Sequence, residues 1–464
     1  MTDNLAIVRR RMLTEGEGVP SEDEQLRRYE AMSPRGRRIG NFFTTIGFGP
    51  PYIPTAEQMK VFWLVGLAIC LNHYDLGIFS LATPRFQAEF GISEAQLGTF
   101  TAIARFGVLA AFVLAAMADR VGRQKLLMVT IVGAAFSTGA SAFAPNAESF
   151  IALQTAMRTF AYAEDMLCFV VIAEVMDPRL RGWAMGGLAA LGAAGHGLAS
   201  IVYVWVDVLP YDWRALYFIG VFPMLLVAIL RRSLTEPARF ADQKAAREAQ
   251  GPTTWRDKLQ PVISLATDYP GRLAAMCLTI IPLSFAMTAP MSFVPKYLQD
   301  FHDYSPGNVS ALFLIGGVIG VAGNFVAGRL SDRVGRRTVL IVGMLVGPSC
   351  IGVLYMGPGG IIIPFMWATG LFFFFAAEVM LAAYGAELFP TSYRSTASAV
   401  RAIASTCTGI GALFAHSWLI GQFDTFEAAT AISLVAVPIA IVVAWIALPE
   451  TASRTLEDIS PELH

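Results

Sequence analysis

The chain has 464 residues, of which 55% are hydrophobic and only 15% charged, with a formal net charge of −1. Soluble domains carry about 25% charged residues, so the composition excludes a soluble globular protein, and near-neutrality offers nothing to a nucleic-acid partner. The five cysteines, Cys70, Cys168, Cys277, Cys350 and Cys407, are scattered through apolar stretches. They have no metal-ligand spacing, their odd number excludes a complete disulfide framework, and they read as small apolar fillers.

Residues 1–59 are polar, with Arg9, Arg10, Arg11, Arg27, Arg28, Arg35, Arg37 and Arg38 making them locally basic. They lack the apolar core of a secretory signal and read as a cytoplasmic tail whose arginines suit anionic lipid headgroups. Twelve apolar runs follow, at 61–83, 96–118, 125–144, 149–173, 184–208, 214–230, 272–298, 308–330, 337–357, 360–386, 395–420 and 426–448. Each has about the 20 residues that a helix needs to cross the hydrocarbon core. Residues 60–230 thus form an N-terminal six-helix bundle and 272–448 a C-terminal one. The charged stretch 231–271 links them in the cytoplasm, and 449–464 is a second cytoplasmic tail.

The loop after the second run reads Ala118-Asp119-Arg120-Val121-Gly122-Arg123, and the loop after the eighth reads Ser331-Asp332-Arg333-Val334-Gly335-Arg336. The offset between Asp119 and Asp332 also separates Glu174 from Glu387, Arg181 from Arg394 and Asp165 from Glu378. Four charged positions in register mark an internal duplication, and two parallel six-helix halves are a transporter architecture. Even-to-odd loops hold Arg120, Arg123, Lys125, Arg179, Arg181, Arg333, Arg336, Arg337 and Arg394, whereas odd-to-even loops hold little beyond Arg85, Lys296 and Arg214. The positive-inside rule therefore places both tails, the linker and both DRVGR loops in the cytoplasm.

These residues resemble the major facilitator superfamily over nearly the whole chain. Its loop signature is matched by Gly328-Arg329-Leu330-Ser331-Asp332-Arg333-Val334-Gly335-Arg336-Arg337, while the first copy has Ala115 and Gln124 at two of those positions. Tyr74-Asp75-Leu76-Gly77, Leu234-Thr235-Glu236-Pro237-Ala238-Arg239 and Pro449-Glu450-Thr451 with Arg454-Thr455-Leu456-Glu457-Asp458-Ile459 resemble the branch of sugar porters, organic-ion transporters and bacterial metabolite:proton symporters. The paired glutamines of hexose carriers are missing from Thr279-Ile280-Ile281-Pro282-Leu283-Ser284-Phe285, which disfavours a hexose.

A charge at mid-membrane costs at least about 2.5–3.5 kcal/mol, so each one is a functional candidate, set against the plainer role of an internal ion pair. Counting 1.5 Å per residue places Asp75, Arg105 and Arg158 roughly 12–14 Å below the outer surface. By resemblance, Asp75 and an arginine in span four act as a proton switch. The family's arginine would fall at Gln154, and Arg158 stands one turn deeper on the same face. Glu164 and Asp165 lie deeper and point about 100° apart, so one is expected to line the cavity and the other to meet a neighbouring helix. Glu378 is the counterpart of Asp165. Either Asp165 or Glu378 is expected to bind substrate, carry protons, or pair with Arg105, Arg158 or Arg401. His196 and His416 read first as hydrogen-bonded packing residues and second as proton relays. Phe372, Phe373, Phe374 and Phe375 cover every face of span ten, and the glycines of span five, Gly186, Gly187, Gly192, Gly195 and Gly197, suit an interface between the halves.

The expectation is an all-α integral membrane protein with twelve transmembrane helices in two pseudo-symmetric bundles. It is expected to be a multi-pass monomer of the plasma (cytoplasmic, or inner) membrane, with both termini cytoplasmic. The function expected is secondary active transport by alternating access, as proton-coupled symport of a small organic metabolite such as an organic carboxylate. The alternatives are a proton-driven exporter and a non-transporting sensor on the same fold. No nucleophile triad, metal cluster or phosphate-binding loop is present, so neither enzymatic activity nor a cofactor is expected. The resemblance further implies that Asp119, Arg120, Gly122, Arg123, Glu174 and Arg181, with Asp332, Arg333, Gly335, Arg336, Glu387 and Arg394, form cytoplasmic latches.

Overall fold

The computed structural model describes residues 21–33, 36–37, 49–232, 255–357, 359–390 and 392–452. Arg9, Arg10, Arg11, Arg35 and Arg38, the segments 234–239 and 454–459, and the side chains of Asp119 and Arg120 lie outside the described residues.

Among the described residues, twelve long helical spans run in sequence. Spans one to six are Ala56–Leu81, Glu94–Ala116, Arg123–Ser141, Ala147–Val175, Pro178–Tyr203 and Trp213–Arg231. Spans seven to eleven are Pro270–Phe301, Pro306–Val334, Arg336–Met356, Ile362–Glu387 and Arg394–Phe423, and span twelve is built from Phe426–Leu434 and Ala436–Ala447. Among the described residues, ten of the twelve are long and apolar enough to cross a membrane. The other two, spans three and four, have 19 and 29 residues. At 1.5 Å per residue both are long enough to span, and span four is more polar because it carries Arg158, Glu164 and Asp165.

Local sequence sets where these helices begin. Thr55 with Gln58, and Ser93 with Gln96, form capping boxes that satisfy otherwise orphaned N–H groups. Asn146 and Ser149 do the same for span four. Proline opens spans five, seven and eight, where its missing N–H costs nothing. Both DRVGR loops turn on a glycine in nearly the same conformation, Gly122 at φ 104°, ψ 140° and Gly335 at φ 98°, ψ 142°. Side-chain-bearing residues rarely adopt such a positive φ, so the duplication seen in the letters is also present in the backbone.

In the N-terminal half, span one packs on span five, span four on spans two and three, and span three on span six. In the C-terminal half, span ten packs on spans eight and nine, and span seven on spans eleven and twelve. The halves meet along two seams, span two against span eleven and span five against span eight. The duplication exchanges those two seams, as a two-fold relation between halves requires.

Two expectations are corrected by this packing. Arg231, read as the first residue of the linker, ends span six and is buried. The span-five glycines mostly face span one of their own half rather than the other half. A Cβ on Gly195 would lie 2.1 Å from the Cys70 carbonyl oxygen, Gly187 abuts Phe62 and Gly192 abuts His73, and only Gly197 meets Leu314 of span eight. The four phenylalanines of span ten lie against glycines too. The main chain of Phe372 and the ring of Phe375 meet Gly323 and Gly320 of span eight, while Phe373 and Phe374 meet Gly343 and Gly347 of span nine.

Candidate functional site

Span one places Asp75 in the interior of the N-terminal half, fully buried. Its Oδ2 accepts a hydrogen bond from the Thr138 hydroxyl of span three at 3.3 Å, and its Oδ1 has no partner among the described residues. Arg158, one turn beyond Gln154 on span four, donates to Gln154 Oε1 at 2.9 Å and lies over the Phe79 ring, 4.3 Å from its centroid. Gln154 in turn donates to Ser141 at 3.2 Å. Gln154 thus occupies the position where the family's arginine was expected, and it holds Arg158. Among the described residues, no carboxylate lies within ion-pair distance of Arg158.

Arg105 of span two is in the same condition. It is only partly buried, and its guanidinium packs on Gly409 of span eleven beside Thr288 of span seven. No ion pair is formed by it among the described residues. Gly107 brings span two so close to span four that a Cβ there would lie 2.2 Å from the Thr155 carbonyl and 3.0 Å from Arg158. Arg105 and Arg158 consequently share one electrostatic neighbourhood, with Tyr162 between their influences. Two cations without a carboxylate within ion-pair distance, among the described residues, stand next to the span-two and span-eleven seam.

Glu164 and Asp165 part company as adjacent helical residues must. Glu164 is fully buried and pairs with Arg231. Arg231 also donates to the Leu64 carbonyl at 3.2 Å and to Cys168 Sγ at 3.4 Å, tying spans one, four and six together. Asp165 turns the other way. Its Oδ2 lies 3.1 Å from His73 Nε2, and its Oδ1 accepts from Asn72 at 3.1 Å. His73 Nδ1 lies 3.3 Å from His196 Nδ1. Glu378 is partly buried in span ten, with Arg401 as the cation acting on it at longer range than an ion pair. His416 departs from expectation: it is fully buried and stacked on Phe293, and neither ring nitrogen has a hydrogen-bond partner among the described residues.

At the end of the molecule that carries the DRVGR loops, Arg123 pairs with Glu174 across spans three and four. The second copy repeats it, with Arg336 bonded to Glu387 at 2.8 Å and to Asp332 at 2.9 Å. Among the described residues, Arg181 and Arg394 do not join these pairs. They donate instead to main-chain carbonyls five residues back, Met176 at 3.1 Å and Phe389 at 3.3 Å. Arg333 is exposed. Glu450, beyond span twelve, takes the place left open: it accepts from the backbone N–H groups of Arg336 at 2.8 Å and Arg337 at 3.2 Å. Burial alone would raise its carboxyl, but the N–H groups of Ala452, Arg336, Arg337 and Thr451 hold it below the usual carboxylate value. On the N-terminal half, Tyr52 donates to Asp177 at 3.1 Å. Burial and the neighbouring Asp177 charge push the Tyr52 hydroxyl up to about 12.

The opposite end is sealed across the halves. Lys296 of span seven is 1% exposed and pairs with Glu94 at the start of span two at 2.9 Å, and also with Asp300. Ser80 donates to the Ser292 carbonyl at 3.0 Å, Gln299 to the Leu81 carbonyl at 3.1 Å, and Tyr203 to Gln299 at 2.7 Å. Ser417 of span eleven bonds Thr99 and the Ala95 carbonyl of span two. Gly98 permits this contact, since a Cβ there would lie 2.5 Å from the Leu413 carbonyl.

Sequence reasoning missed His73, Asn72, Arg231 and Lys296. His73 stands directly before the Tyr74-Asp75 element, yet only the span-one and span-five contact reveals His196 as its partner. Lys296 was counted among loop charges although it is buried within a helix.

The sequence profile of the Major Facilitator Superfamily matches residues 65–412. The chain is 27% identical over 431 residues to a probable 4-methylmuconolactone transporter of Cupriavidus pinatubonensis, covering 87% of this chain and 93% of that one. It is 25% identical to a gallate transporter of Pseudomonas putida, covering 74% and 81% respectively. Among solved structures, the D-xylose-proton symporter superposes with a TM-score of 0.72 at 19% identity, covering 86% of this chain and 99% of that one.

Proposed function

Because the chain belongs to the Major Facilitator Superfamily, and is a transporter rather than an enzyme, we propose that it carries a small organic carboxylate into the cell together with protons. The observation that carries this reading is the pair Arg105 and Arg158, two intramembrane guanidinium groups with no carboxylate within ion-pair distance among the described residues. A transporter pays dearly to keep unpaired cations in a membrane, and a carboxylate substrate would complete them with charge-assisted, bidentate bonds. The relatives named for 4-methylmuconolactone and gallate support an aromatic acid or an acid derived from aromatic-ring cleavage as the class. Phe79 beneath Arg158 supplies an apolar, π-rich wall for such a ring.

The charge bias of the loops supports placing the DRVGR end and both termini in the cytoplasm, in the plasma membrane, with the protein acting as a monomer. The sealed end is then the outer one. Asp75 serves as a proton acceptor: a substrate anion on Arg158 weakens that cation's hold on the aspartate, which favours the protonated acid. Proton uptake and substrate binding thereby support each other.

The test is uptake of radiolabelled aromatic carboxylates by proteoliposomes. Transport should be selective for the acids over their neutral amides. Arg105→Gln and Arg158→Gln should each raise KM roughly 10- to 100-fold, the value of one charge-assisted hydrogen bond. Equal transport of amide and acid would contradict the assignment of the arginines, and acid-driven efflux would establish the exporter alternative.

A further inference from the structure

Spans one, four and five contribute His73, Asp165 and His196 to one continuous chain of polar atoms, and neither histidine has a role in the account above. The order is His196 Nδ1, His73 Nδ1 at 3.3 Å, His73 Nε2, then Asp165 Oδ2 at 3.1 Å. Asn72 fixes the other carboxylate oxygen at 3.1 Å. His196 Nδ1 also lies 3.4 Å from the Gly192 carbonyl oxygen, which can only accept. The neutral arrangement that satisfies every atom therefore has the proton on His196 Nδ1, a bare Nδ1 on His73, and the His73 proton on Nε2 directed at Asp165. His196 is exposed, and the next residue, Gly197, meets Leu314 of the opposite half. The His73 and Asp165 side chains are 27% and 12% exposed. The chain thus runs from the seam between the halves into the N-terminal bundle.

We propose that His196, His73 and Asp165 form a proton relay, separate from Asp75, that passes a proton from the space between the halves to Asp165. A proton arriving at His196 Nε2 releases the one on Nδ1 to His73 Nδ1, and the His73 Nε2 proton moves to Asp165 Oδ2. One N–H bond forms and one breaks at each ring, and the single proton gained ends on the carboxylate. The glycines make the relay possible: Gly192 and Gly195 press span five against span one at His73, where any Cβ would collide with Cys70 or crowd the imidazole.

The groups around the relay fit this role. Span four presents Asp165 and, on its other side, Cys168 and the Glu164 and Arg231 pair, whose net charge is zero. Span one itself presents Cys70 and, two residues on, Asp75. Span five presents His196 beside small residues. The relay rests on the proton-symport reading, and the experiment separates the two. Substrate-driven proton flux and the pH profile of uptake are measured in proteoliposomes for wild type, His73→Gln, His196→Gln, Asp165→Asn and Asp75→Asn. Melting temperatures in detergent restrict the comparison to folded variants, and the exposed His196 provides the variant least able to disturb packing. Wild type should show substrate-driven proton flux and an inflection in its pH profile of uptake. Both histidine variants and Asp165→Asn should lose that inflection, and proton-driven accumulation should fall far more than counterflow exchange. Wild-type flux and inflection that persist in folded His73→Gln and His196→Gln would overturn the relay alone. Absence of substrate-driven proton flux in wild type would overturn the symport reading on which it rests.

Discussion

The ionisable residues of the spans divide by their partners. Glu164 and Arg231 satisfy one another in the interior, and Arg231 spends its remaining donors on Leu64 and Cys168. Breaking such a pair by removing one member leaves a buried charge and costs about 3–5 kcal/mol. Glu164→Gln should therefore lower the melting temperature markedly, while surviving protein keeps its substrate preference; a changed preference would place Glu164 in the site after all. Asp75 has the opposite character, with one oxygen unpartnered. Asp75→Asn should abolish proton-driven accumulation with less effect on exchange, and wild-type accumulation against a gradient would remove Asp75 from the coupling scheme. The residue scale is where the sequence was least legible. Run length places Asp75, Arg105, Arg158, Glu164, Asp165 and Glu378 within spans, but it cannot choose which of Glu164 and Asp165 faces Arg231, because Arg231 lies just outside the expected helix. Nor could it join His73 to His196, which depends on two glycines 122 and 119 positions further along the chain only through the folded contact of spans one and five.

At the scale of elements, the two loop copies are alike in backbone but differ in their supports. Gly335 must remain a glycine for two reasons, its φ of 98° and the 2.4 Å that would separate a Cβ from Glu450 Oε2. Glu450 caps span nine by accepting from its first N–H groups, where the helix dipole favours a negative charge. Its carboxyl titrates lower in the folded protein than in the unfolded chain, where about 4.3 is usual. The sign follows: this contribution is complete above that pH and fades as the pH falls through the folded value. Glu450→Gln should cost about 1 kcal/mol at neutral pH, as loss of a helix cap does. The stability difference from wild type should vanish in acid, and a difference that is flat with pH would show that Glu450 acts by packing alone. The spans and the duplication are legible because length, apolarity and charge recur in the letters, whereas the choice of Arg123 and Arg336 as the partners of Glu174 and Glu387 appears only in the fold. The diversion of Arg181 and Arg394 to main-chain carbonyls was not legible either, since nothing in the letters shows that a turn presents a free oxygen.

For the whole molecule, the seams between halves carry the functional argument. Lys296, Glu94, Ser292, Gln299 and Ser417 close the end opposite the loops, and Gly98 permits the approach of spans two and eleven. Glu94→Gln removes the charge that holds Lys296 across the halves, leaving Asp300 of its own span, and should open this end more often. Cysteine-labelling rates at its rim would rise in that variant, and unchanged rates would show that the hydrogen bonds alone keep it shut. Alternating access then requires the seal to break while the Arg123 and Arg336 clusters are brought together at the other end. The central claim is that a proton gradient drives a carboxylate past Arg105 and Arg158. It is tested most directly by the accumulation of a labelled aromatic carboxylate in proteoliposomes, relative to protein-free vesicles, when the proton gradient is imposed in either direction. An outside-acid gradient should drive accumulation beyond that of the protein-free vesicles, and Asp75→Asn should abolish the excess. Excess accumulation that ignores the direction of the gradient, or appears only with acid inside, would contradict the account.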